Sequence, residues 1–162
     1  MKKNNGLVIL LGLVIILLSA CALLFPLGTG FVTGEGENIV AYDFIFGNSA
    51  AGVNSDNGGP YGGLITAFVL ACIGAFFQLL GLVFSFGQGG KKFVGVLDVL
   101  SGLLFAATAI LFFLAQPLVN GYLDNTVTLT LGWGFIIAGA CAAASALLSF
   151  VTGVISYRSK EA

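Results

Sequence analysis

Four apolar runs dominate the chain, at 6–25, 64–86, 93–115 and 129–157. Each is long enough to cross the hydrocarbon core of a bilayer, which takes about 20 helical residues. Helices satisfy their own backbone hydrogen bonds, which lipid requires of any spanning segment. The sequence therefore predicts an all-α membrane fold: one integral domain over 1–162, built as an antiparallel four-helix transmembrane bundle. Between the runs lie an outer loop at 26–63, an inner turn at 87–92, a second outer loop at 116–128 and a tail at 158–162. Only 8% of the 162 residues are charged, against about 25% in soluble domains.

The signs of the charges are sorted. Lys2 and Lys3 precede the first run, Lys91 and Lys92 separate the second and third, and Arg158 and Lys160 follow the fourth. Four crossings put all six on one side, which the positive-inside rule makes the cytoplasm. Glu35, Glu37, Asp43, Asp56 and Asp124 fall opposite. The expected location is a plasma or inner membrane, with both termini cytoplasmic. Leu18-Ser19-Ala20-Cys21 has the form of a lipoprotein cleavage box. Apolarity runs on past it to Phe25, longer than a signal h-region of about 7–15 residues, so the segment is expected to stay as a span.

Residues four apart share a helix face. Gly134, Ala138, Ala142 and Ala146 form such a row in the fourth run, and Ser145, Ser149 and Gly153 a second. Small faces let neighbouring backbones approach, which is how helices associate in lipid. Ala67, Gly74 and Gly81, and likewise Gly95 and Gly102, recur every seventh residue, a spacing that suits left-handed packing near +20°. Pro26 and Pro117 are expected to end the first and third helices, and Asn120-Gly121 to turn the chain. Tyr61, Tyr122 and Trp133 are expected at the outer interface and Tyr157 at the inner one. Cys21, Cys72 and Cys141 lie within the runs and are expected to be small buried residues.

The outer segments carry strand patterns. Tyr42, Phe44 and Phe46 alternate with Ala41, Asp43 and Ile45, predicting a strand over 39–46. Phe31–Thr33 and 126–131 are its candidate neighbours, the latter before or at the start of the fourth helix. The aromatic face of this sheet, Phe31, Tyr42, Phe44 and Phe46, must either pack on the helix ends or meet a partner. Residues 47–60 read as a turn-rich tip.

This layout, with a long first outer loop bearing strands, a shorter second one and a minimal inner turn, resembles the claudin/peripheral-myelin-protein class of four-span proteins. The resemblance is topological and covers the whole chain. It implies a small outer sheet that a strand from the second loop joins. The Trp-rich, paired-Cys motif of that class is absent from 27–63, so no residue role transfers.

Asp98 is the one charge inside a run, about 8 Å past the Lys92–Phe93 boundary. Gln78 lies about 12 Å from the inner end of the preceding helix, with Ser149 and Thr152 at similar depth. The four form a candidate intramembrane polar cluster. Asp98 is either a proton or cation site or an interfacial acid reaching water or Lys91 and Lys92, and its shallow depth favours the latter. Without His, and with no Ser beside a base, no nucleophilic or metal site is expected, nor any cofactor or nucleic-acid partner. The chain reads as a non-enzymatic membrane protein whose outer loops contact a membrane-protein partner or a second copy. The alternative is a small ion or proton channel or transporter centred on Asp98 and Gln78.

Overall fold

A computed structural model describes residues 2–34, 36, 38–47, 61–86, 90–122 and 129–158. Its elements in order are α1 (Lys2–Leu24), a 3-10 turn (Phe25–Leu27), β1 (Thr29–Thr33), β2 (Asn38–Val40) and α2 (Ala41–Phe46). These are followed by α3 (Gly62–Phe86), α4 (Lys91–Phe113), α5 (Ala115–Tyr122), β3 (Leu129–Leu131) and α6 (Trp133–Arg158). Among the described residues, α1, α3, α4 and α6 are the four helices long and apolar enough to cross a membrane.

These four pack in a ring, α1 on α3, α3 on α4, α4 on α6 and α6 back on α1. The chain reverses between successive members. The starts of α1 and α4 and the ends of α3 and α6 therefore share one end of the bundle, with Lys91, Lys92 and Arg158. The other end carries an antiparallel sheet of order β2-β1-β3. Phe31 stands opposite Ile39 on one side and Leu131 on the other. The second connection thus contributes a strand to the sheet begun by the first.

The core is layered along the bundle axis. Beneath the sheet, Phe31, Phe112, Phe135, Leu64, Val119 and Leu129 pack with Ala67, Ala115 and Ala138. An alanine layer of Ala22, Ala109 and Ala142 follows, then Ile15 with Phe105 and Ala146. The α3–α4 seam is laced by hydroxyls. Ser101 donates to the Gly74 carbonyl at 2.9 Å and Thr108 to the Ala67 carbonyl at 3.2 Å. Donors and acceptors are each seven residues apart, so one geometry repeats. Small residues at 67 and 74 let the α4 hydroxyls reach the α3 backbone, a polar link suited to an apolar medium.

Three elements differ from expectation. The predicted strand over 39–46 is β2 only to Val40; 41–46 is helix. Ala41, Phe44 and Ile45 are buried at helical spacing, a pattern overlaid by the aromatic alternation. Gly47, at φ 81°, ends α2 by donating to the Asp43 carbonyl. Pro117 does not close the third helix. The break comes at Leu114, and Pro117 sits in the first turn of α5, where its missing N–H costs little. Asn120-Gly121 accordingly lies within α5 rather than forming a turn. The Asn120 amide brackets Leu129, donating to its carbonyl at 3.1 Å and accepting from its N–H at 3.2 Å. Residues 126–128 and 48–60 lie outside the described residues, as do Glu35, Glu37, Asp56 and Asp124.

The sheet meets the bundle at Gly132, which donates to the Gly30 carbonyl at 2.7 Å. A Cβ there would lie 2.3 Å from the Thr29 carbonyl oxygen, whereas one at Gly121 would meet nothing within 4 Å. Gly132→Ala is therefore expected to cost about 1–3 kcal/mol through overpacking. Gly121→Ala should leave stability unchanged within about 0.5 kcal/mol. Equilibrium unfolding in mixed micelles measures both.

Candidate functional site

Two features draw together the residues singled out in the sequence: a polar layer inside the bundle and an aromatic patch beside the sheet. The polar layer lies between the Ile15 layer and the charged end. Gln78 and Asp98 are 1% and 3% exposed, and Ser149 and Thr152 are fully buried. Ser149 donates to Gln78 Oε1 at 3.3 Å. The Thr152 hydroxyl lies 3.0 Å from each of the Leu148 and Ser149 carbonyls, to which it donates. Three helices thus bring polar side chains into one buried layer, Gln78 from α3, Asp98 from α4 and the hydroxyls from α6.

Space for the carboxyl comes from Gly81, where a Cβ would stand 3.1 Å from Asp98 Oδ1. Asp98 is therefore turned inward, and the interfacial placement expected for it is corrected. Depth along a helix does not tell which way a side chain faces, and here the face is the one carrying Val94, Leu97, Ser101 and Phe105 into the core. Ser145 and Ser156 extend the α6 polar face in both directions, and their hydroxyls are buried without a hydrogen-bond partner.

Gly134, Ala138, Ala142 and Ala146 are all buried on α6. Gly134 lies beneath the 3-10 turn, where a Cβ would be 2.9 Å from the Phe25 carbonyl oxygen. Ala142 meets Ala22 and Ala109, and Ala146 meets Ile15 and Phe105. The row expected to mediate helix packing is thus in the core. Cys72 departs from expectation: it is exposed on the flank of α3, while Cys21 and Cys141 are half-buried.

The four aromatic residues of the outer segment divide. Phe31 and Phe44 are buried edge to face, centroids 4.6 Å apart, and Phe31 reaches Phe135 at 5.2 Å. They fasten the sheet to the bundle and are not available to a partner. Tyr61, expected at the interface, is buried too and stacks on Phe44 at 5.5 Å. Trp133 and Tyr157 are exposed at opposite ends of α6.

No protein-family model matches the chain, and neither a curated protein nor a solved structure matches it.

Phe46 faces outward, while Tyr42 is half-buried against the core. They form a triad of mutual ring contacts with Phe68 of α3, at 5.5, 5.7 and 5.4 Å. The Tyr42 hydroxyl donates to the Leu23 carbonyl at the end of α1, so the triad ties α1, α2 and α3 together. Phe46 is 61% exposed. Phe68 was not singled out in the sequence, because one more Phe in an apolar run carries no signal of its own. Ser101 and Thr108 were missed as well, although their seven-residue offset matches that of Ala67 and Gly74.

Gln78→Leu would leave the Ser149 hydroxyl and the Asp98 carboxyl facing hydrocarbon. It is expected to cost about 1–3 kcal/mol. Asp98→Asn keeps the shape while removing a charge that is expensive to bury, and should unfold no more easily than the parent. Denaturant titration in micelles compares the two.

Proposed function

We propose that the chain is a non-catalytic four-span membrane protein whose outer cap contacts a membrane-protein partner or a second copy. The four helices are inserted with the Lys91, Lys92 and Arg158 end in the cytoplasm. Both termini are then cytoplasmic and the sheet is extracytoplasmic. Seven-residue spacing of the small residues along α3 and α4 favours left-handed packing of the bundle. The arrangement resembles the claudin/peripheral-myelin-protein class in its topology, including the sheet strand supplied by the second loop.

The observation that carries this reading is the Tyr42–Phe46–Phe68 patch. Aromatic side chains with few rotatable bonds, held by neighbouring rings, are the groups that anchor protein interfaces. Here they are fixed in place by α2, whose Phe44 is buried against Phe31 of the sheet. The acidic side chains of the outer segments add a field that favours a basic partner.

A second reading is favoured by Asp98. An acid buried inside the bundle against Gly81 is the kind of group that holds a proton or cation in transporters. On this reading Asp98→Asn abolishes ion or proton flux in liposomes containing the purified protein. Unchanged flux in that variant excludes it.

For the leading reading, a photocrosslinking amino acid at position 46 is expected to capture a protein neighbour in native membranes. The same group at Leu147, exposed on the flank of α6, should capture lipid. Phe46→Ser should reduce co-purification of the captured protein at least tenfold, about 1.4 kcal/mol. A species that crosslinks to no protein from position 46 argues against the partner surface.

A further inference from the structure

The α4–α6 contact nearest the charged end leaves a feature that neither the polar layer nor the cap explains. Gly95 and Gly153 bring the two backbones together: a Cβ on Gly95 would lie 3.0 Å from the Gly153 carbonyl oxygen, and one on Gly153 2.7 Å from Val99 Cγ2. With no side chain on either glycine, the helices leave a groove of about 410 Å³ on the outside of the bundle. Gly95, Val96, Val99 and Leu100 line it from α4, Gly153 and Val154 from α6. It runs out to Tyr157 and Arg158.

We propose that this groove holds an acyl chain of an anionic phospholipid, with the lipid headgroup against Arg158 and Lys92. The proposal rests on the membrane-inserted reading above. Lys92 precedes Val96 by four residues and Arg158 follows Val154 by four, so each cation continues a helix face that walls the groove. Both side chains are exposed, as is Tyr157. An apolar slot that runs out to Arg158 and Tyr157, with Lys92 one helical turn beyond Val96, matches a hydrocarbon chain carrying a negative head. A second copy fits the site poorly. Inserted in the same orientation, it would bring Lys92 and Arg158 to the same depth, setting like charges together.

Trp133, at the opposite end of α6, is the single Trp of the chain, so one indole can be moved. The paired substitution Trp133→Phe and Tyr157→Trp places the reporter at the groove mouth. The protein is reconstituted in vesicles containing brominated phosphatidylglycerol or brominated phosphatidylcholine, and fluorescence quenching is compared. The expected result is preferential quenching by the brominated anionic lipid. Arg158→Gln and Lys92→Gln should each lower that preference about fivefold. Equal quenching by the two lipids, or a preference that survives both substitutions, overturns the proposal. So does an introduced indole that neither lipid quenches, the result expected of a groove covered by protein. The parent protein separates failure of the site from failure of the membrane reading. Quenching of Trp133 by both brominated lipids attests insertion, and its absence removes the membrane reading and the lipid site together.

Discussion

The near approach of α6 to its neighbours is the constraint from which the rest of the structure follows. Lipid tails are as apolar as leucine, so burying apolar surface gives helices little reason to associate there. What holds them is dispersion between closely spaced backbones and the hydrogen bonds that closeness allows. On α6, Gly134, Ala138, Ala142 and Ala146 supply one small face, and Ser145, Ser149, Thr152 and Gly153 supply another. The helix can thereby serve α1, α4 and the base of the sheet at once.

Polarity is graded along the axis of the bundle. Aromatic residues fill the space under the sheet, alanines the next layer, and the buried polar side chains of Gln78, Asp98 and Ser149 the layer nearest the cations. The gradient follows a division of labour. Bulky rings are needed where the bundle must grip a cap, and polar contacts where three helices must be fixed in register. An isolated strand pair is marginal in water, and β1 escapes that limit because Phe31 is inserted among Phe44, Phe112 and Phe135. The sheet and the bundle thus stabilise each other.

Much of this was legible in the residues. The spans were, because runs of about 20 apolar residues have few alternatives. The meeting of Gln78 with Ser149 was, because counting along antiparallel helices places them at one depth. Orientation about the helix axis was not. Nothing in the spacing around Asp98 separated a carboxyl facing Gly81 from one facing Lys91. The 39–46 segment failed for a different reason: its apolar residues satisfy period two and period three together, and only the packing of Ala41 against Gly30 decides between them. The interruption at Leu114 was hidden because a proline marks a break only to within a turn.

On the four-span reading, the sheet and the cationic end of the bundle lie in different aqueous compartments. Single cysteines at Phe46 and Lys92, in a background with Cys21, Cys72 and Cys141 replaced by alanine, test it directly. A membrane-impermeant maleimide added to intact cells should label position 46 at once and position 92 only after lysis. Labelling of both positions from the same side of the membrane would contradict the four-span arrangement, and with it the cap, the partner surface and the lipid groove.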